Sequence, residues 1–268
     1  MNAQRLWAVV DMEWTQAFAG WPVKIITALP PLIVLLGLLF QPRAGHLQVI
    51  TDVLSIQMEG ASLYADPSNW NRTGDFYLVV FTVLPLFSVV KIAGAGLLND
   101  KASRSLEPLL ATPLTGGELF SGKVLAAVAP AVLGSWASFL VFAATLAHLG
   151  VATTAIFGPF KGSIWLLAVF VIGPLLALFQ ALFTLWVCAQ TGGARLAENL
   201  ANAMVGLLSA AILTALLYWS YNFYVYQRQL IGPVLLLQVA AGLVVLVALG
   251  FWACLKQFQR ETILFKWK

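Results

Sequence analysis

Six runs of roughly 20 mostly apolar residues recur along this chain, the length at which a helix crosses a bilayer. They cover residues 23–40, 76–98, 124–149, 164–188, 203–221 and 233–255. So much apolar surface could not be hidden in one water-soluble core. Over its 268 residues the chain is 60% hydrophobic and 10% charged, with mean hydropathy +0.88. Soluble domains average about 45–50% apolar and about 25% charged. Prolines at positions 30, 31, 85, 130 and 174 fall inside the runs. Bilayer helices tolerate them when neighbouring groups satisfy the carbonyls that proline frees. The expectation is an all-α integral membrane protein, a single transmembrane domain over residues 1–268 with six transmembrane helices across 23–255.

An even number of spans puts both termini on one side. If that side is the cytoplasm, it collects Arg5, Lys24, Lys101, Arg104, Lys123, Arg195, Lys256, Arg260, Lys266 and Lys268. The other side keeps Arg43, Arg72, Lys161 and Arg228. Ten against four is the bias of the positive-inside rule, so both termini and the tail 256–268 are expected in the cytoplasm. The net charge of +4 is then topological information and gives no reason to expect nucleic acid as a partner. Cys188 and Cys254 make no disulfide framework. Asp11 and Glu13 interrupt the first twenty residues, which therefore do not read as a secretory signal.

Residues 1–22 carry their own pattern. Trp7, Val10, Trp14, Ala17, Phe18 and Trp21 fill an arc of roughly 120° on a helix, with Arg5 and Gln16 facing away. This predicts an amphipathic helix in the cytoplasmic interface, its tryptophans at headgroup depth. A weaker version spans 46–58, and the outer end of the fifth run, 218–226, reads as an aromatic belt. A sequon, Asn71-Arg72-Thr73, lies in the loop 66–75.

Between the second and third runs lies a polar island, residues 99–123, reading NDKASRSLEPLLATPLTGGELFSGK. Ser105 can cap a short helix, with Pro108 in the first turn, where its missing N–H does little harm. Leu106, Leu109, Leu110 and Leu114 follow with helical rhythm, and Pro113 stops the helix and pushes Thr112 toward an extended shape. Thr115-Gly-Gly-Glu118 is a capping-box pattern that starts the helix of the third run. The leucine face fits either the groove of a soluble partner, with Lys101, Arg104 and Glu107 setting orientation, or the lipid interface.

The island resembles the cytoplasmic loop of the membrane-spanning permease subunits of ABC transporters of the type-2 exporter family. The likeness rests on Ser105-Leu106-Glu107, Leu109-Leu110-Ala111-Thr112-Pro113 and Gly122-Lys123. Departures are Arg104 in place of a usual glycine, Pro108 between the glutamate and the leucines, and a loose charged lead-in at Asn99-Asp100-Lys101. The six-run layout behind an amphipathic leader is similar to that family too. The resemblance implies a short cytoplasmic coupling helix seated in a separate ATPase subunit. Its contacts would come from Lys101, Arg104, Leu106, Glu107, Leu109, Leu110, Thr112 and Pro113. It also implies a second permease copy or paralogue, and the cytoplasmic (inner) membrane of a bacterium as location. ATP and Mg would be bound by the partner, with no cofactor and no catalysis in this chain.

Other signals are weaker. Gly117 to Lys123 nearly spells a phosphate-binding P-loop, but Val124 offers no hydroxyl to magnesium and no strand precedes it. Lys91, inside the second run, is either an intramembrane polar site or a lysine that snorkels to the interface. Gln180 suits an interhelical hydrogen bond. Arg195 and Glu198 form either a second ATPase contact or a solvated turn. His46 and His148 lack the carboxylate cluster of a metal site. The competing function is an ion- or proton-coupled carrier, or a channel, without an ATPase. Such carriers usually place several ionisable residues inside their spans, and here Lys91 alone is clearly so placed.

Overall fold

The fold is seen in a computed structural model that describes residues 3–39, 81–97, 116–148, 166–190, 196, 199–208, 211 and 233–257. All described segments are helical, apart from a bend at Gly20, and no strand occurs among them. In chain order the helices are α1 (Ala3–Ala19), α2 (Trp21–Leu39), α3 (Phe81–Leu97), α4 (Gly116–His148), α5 (Gly173–Gln190), α6 (Asn199–Leu208) and α7 (Pro233–Gln257). A π-helical turn, Ala168–Ile172, leads into α5. Among the described residues three stretches are long and apolar enough to cross a bilayer: Gly116–Ala144, Ala168–Gln190 and Leu236–Lys256. They fall on the third, fourth and sixth apolar runs, and α2, α3 and α6 fall within or across the other three. The helix of the third run starts at Gly116 with Glu118 in its first turn, where the cap pattern places it. The coupling segment 99–115, the segment 46–58, the loop 66–75 and the belt 218–226 lie outside the described residues.

α4 is the hub, packing against α1, α2 and α5, while α7 rests on α5. The core joins Leu86, Val89 and Val90 of α3 to Phe120 and Ala127 of α4 and to Leu185 of α5. α7 is different: Leu237, Val244, Val245, Leu249 and Trp252 are all more than half exposed. A helix that is apolar on its exposed faces suits hydrocarbon, not water. In lipid, burying a leucine against another leucine gains little over burying it in acyl chains. Helix association therefore rests on close packing and interhelical hydrogen bonds.

Those bonds fall where the prolines need them. A proline inside a helix leaves the carbonyl four residues back without its N–H partner. Pro85 frees the carbonyl of Phe81, and Ser135 Oγ of α4 donates to it at 2.8 Å. Pro130 frees the carbonyl of Ala126, and Trp14 Nε1 of α1 donates to it at 2.9 Å. Pro31 frees the carbonyl of Thr27, which abuts α4 so closely that a Cβ on Gly134 would lie 3.5 Å from it. Ahead of Pro174 the helix widens instead, and the Gly173 N–H reaches back five residues to the Ala168 carbonyl. An unpaired carbonyl in an apolar interior costs about 1–3 kcal/mol, so each neighbour's donor removes a penalty of that order.

Candidate functional site

α1 forms as the tryptophan pattern predicts, and Trp7 and Trp21 are exposed, as anchors at an interface would be. Arg5 and Gln16 are exposed as well. The face that meets protein is nevertheless rotated from the tryptophan arc by roughly a quarter turn. It consists of Val9, Val10 and Glu13, all at most 3% exposed, flanked by Leu6 and Ala17. Val10 belongs to this buried face rather than to the exposed anchor arc. α1 thus leaves one flank exposed and packs with another against the α3–α4 pair.

This clamp has a charged centre. Glu13 accepts a hydrogen bond through Oε1 from Lys123 Nζ of α4, and both side chains are buried. Two glycines make room for it. A Cβ on Gly96 of α3 would collide with the Glu13 carboxylate and sit 3.2 Å from its Cδ. A Cβ on Gly122 of α4 would lie 2.7 Å from Val9 Cγ1. One turn beyond Lys123, the Trp14–Ala126 bond adds a second polar tie between the same two helices. Phe120, fully buried, is tilted against Phe251 of α7 at 5.5 Å and extends the seat sideways.

Taking a carboxylate and an ammonium out of water costs several kcal/mol per ion unless they pair closely. Here each has the other, so the pair fixes where along α4 the helix α1 can sit. It also gives the closing Gly122-Lys123 of the island a role in helix docking: the glycine admits Val9, and the lysine is engaged by a carboxylate of this chain.

Position gives the clamp its interest. Gly96 lies at the end of α3 that precedes residues 98–115, and Lys123 near the start of the helix that follows them. α1 touches both, so the segment 98–115 springs from two helix ends held by one helix. Of the residues predicted to contact a partner, Lys101, Arg104, Leu106, Glu107, Leu109, Leu110, Thr112 and Pro113 lie outside the described residues, as do Arg195 and Glu198. Lys91 is half-buried on α3, well away from the helix end that bears Gly96 in sequence. Gln180 is fully buried, and its Nε2 donates to the Ala201 carbonyl of α6 at 3.2 Å, the interhelical bond expected of it. Its Oε1 has no hydrogen-bond partner among the described residues.

In the sequence Glu13 presents itself only as a charge that interrupts the first twenty residues, not as a docking residue. The available signal was its position: on the helical wheel it sits between Val9, Val10 and Ala17, where a solvated charge has no place. Among the described residues no group of three or more His, Cys, Asp or Glu side chains is arranged to hold a metal ion. No protein-family model, curated protein or solved structure matches the chain.

Proposed function

We propose that this chain is the membrane-spanning permease subunit of an ATP-driven exporter, moved by a separate nucleotide-binding subunit. In this reading it has six transmembrane helices and a coupling helix at 105–113, and it pairs with a second permease copy or paralogue. Both termini lie in the cytoplasm of a bacterium with the chain in its inner membrane. The observation that carries the proposal is the union of the island's sequence with its mounting. A segment resembling a coupling helix emerges from two helix ends that α1 ties together through Glu13, Lys123 and Gly96. Force applied by a closing pair of ATPases would then move α1 together with the adjoining ends of α3 and α4 as a rigid body. A loose loop would absorb the same force. Leu106, Leu109 and Leu110 are assigned as the packed face, Glu107 as its charged locator, and Arg195 with Glu198 as a second contact.

The test is co-purification of the chain with an ATPase encoded beside it. Glu107→Ala, or Leu109→Asp with Leu110→Asp, should release the ATPase while leaving the permease folded in the membrane. A chain that never retains an ATPase, and whose island variants transport normally, would overturn the proposal. Transport that collapses with an ionophore and ignores ATP depletion would instead support the carrier reading.

A further inference from the structure

We propose that α3, α4 and α5 share a hinge level at Pro85, Pro130 and Pro174, about which the part of the bundle gripped by α1 tilts as one unit. The first support is that the three interruptions meet in space. Phe81, Thr82 and Pro85 of α3, Ser135 of α4, and Gly173 and Pro174 of α5 line one small cavity between these helices, with room for about one water. Pro130 immediately precedes Ala131, which lines the same cavity. The register agrees along the helices. Further toward the α1 end, Gly94 of α3 faces Thr184 of α5, and the residues at the cavity hold the same offset along the two helices.

The second support is the kind of bond made at this level. Sharp bends in helices arise at prolines, at π turns, or where a side chain enters the ladder. All three devices are present. The π turn Ala168–Ile172 precedes Pro174, and its Phe170 lies against Trp136 and Phe139 of α4 at 5.4 and 5.7 Å. Ser88 Oγ donates back to the Pro85 carbonyl at 2.6 Å, a bond that favours bending. Each freed carbonyl of α3 and α4 is held by one side-chain donor from another helix instead of by its own ladder. Close-packed interiors resist rearrangement, and the cavity supplies slack at the level where the backbone is weakest.

The third support is that the two sides of the hinge differ in their restraints. On the near side, α1 grips α3 at Gly96 and α4 at Gly122, Lys123 and Ala126, all before Pro130. The near unit is therefore α1, the end of α3 and the first turns of α4. This inference concerns the bundle alone and does not require an ATPase.

The experiment uses the full chain in lipid nanodiscs, with spin labels at Thr15→Cys on α1 and Leu140→Cys on the far half of α4, both exposed. The wild-type background should give a broad or two-peaked distance distribution. Pro85→Ala, Pro130→Ala and Pro174→Ala combined should collapse it to one narrow peak, because three ladders are completed. A wild-type distribution already as narrow as that of the triple variant would overturn the proposal. If the triple variant does not fold, hydrogen exchange of the unaltered chain decides. Amides just after Pro85 and Pro130 should exchange about tenfold faster than those one to two turns nearer α1 on the same helices. Equal protection along each helix would refute the hinge. Because neither readout involves ATP or a partner, failure here leaves the exporter proposal standing, and the reverse.

Discussion

Replacing Gly96 with alanine adds a single methyl group, and its effect should change sign with the residue at position 13. In the native chain the methyl would collide with the Glu13 carboxylate. Either the carboxylate leaves Lys123 or α1 lifts from α3. Overpacking of this kind typically costs about 1–3 kcal/mol, and full loss of the buried pair about 3–5 kcal/mol. Glu13→Ala by itself removes the carboxylate from the buried Lys123 ammonium and belongs on that scale. Once Glu13 is gone, however, the alanine at 96 meets no carboxylate. It should then be neutral, or stabilise by up to about 1 kcal/mol, because glycine inside a helix is the poorer helix former.

The double-mutant cycle should therefore show a coupling of about 1–3 kcal/mol between positions 13 and 96. The assay is unfolding of the purified chain in mixed micelles by a denaturing detergent, followed by tryptophan fluorescence. Parallel hydrogen exchange on α1 would show whether that helix detaches. The reasoning fails if Gly96→Ala has the same effect in both backgrounds to within about 0.3–0.5 kcal/mol.

Ser135→Ala should destabilise by about 1–3 kcal/mol by stranding the Phe81 carbonyl. Adding Pro85→Ala should recover most of that, since the helix's own N–H returns; the same unfolding titration checks both. Trp14→Phe keeps an aromatic side chain but loses the donor to Ala126, and should cost about 1 kcal/mol or somewhat more and speed exchange of the amides of α1. Gln180→Met should cost less than about 1 kcal/mol, because Oε1 is already unpartnered and the change keeps the side chain's length. A large loss there would mean that Gln180 holds a water or ligand.

Helices were legible in the sequence wherever apolar run length decides the matter. The sixth run, 233–255, reappears as Pro233–Gln257 almost unchanged. The cap pattern at Thr115 and Glu118 placed the start of α4 correctly. The pairing of partners was not legible. An amphipathic pattern says that α1 has two faces, but the tryptophans do not sort onto one of them: Trp7 is exposed, while Trp14 donates to α4. The face for protein is built from Val9, Val10 and a glutamate, and hydropathy alone assigns a glutamate to solvent. Likewise the prolines announced freed carbonyls, yet no local rule joins Ser135 to Phe81 or Trp14 to Ala126, because those pairings are set by helix register.

Register is the problem that Glu13 and Lys123 solve. Val9 and Val10 could pack against almost any small-residue stretch of α3 or α4, and van der Waals contact alone discriminates weakly between positions one turn apart. A buried charge is different, because a slip of one turn, about 5.4 Å, would separate the ions and leave both uncompensated. The glycines sharpen the choice further. Gly96 admits the carboxylate and Gly122 admits Val9, and a neighbouring side chain in either place would block the approach. Trp14 adds a third requirement, since a slip would also deprive the carbonyl freed by Pro130 of its donor. A helix needed only as a lipid anchor would gain nothing from these constraints. They make sense if the ends of α3 and α4 that flank residues 98–115 must keep a fixed geometry.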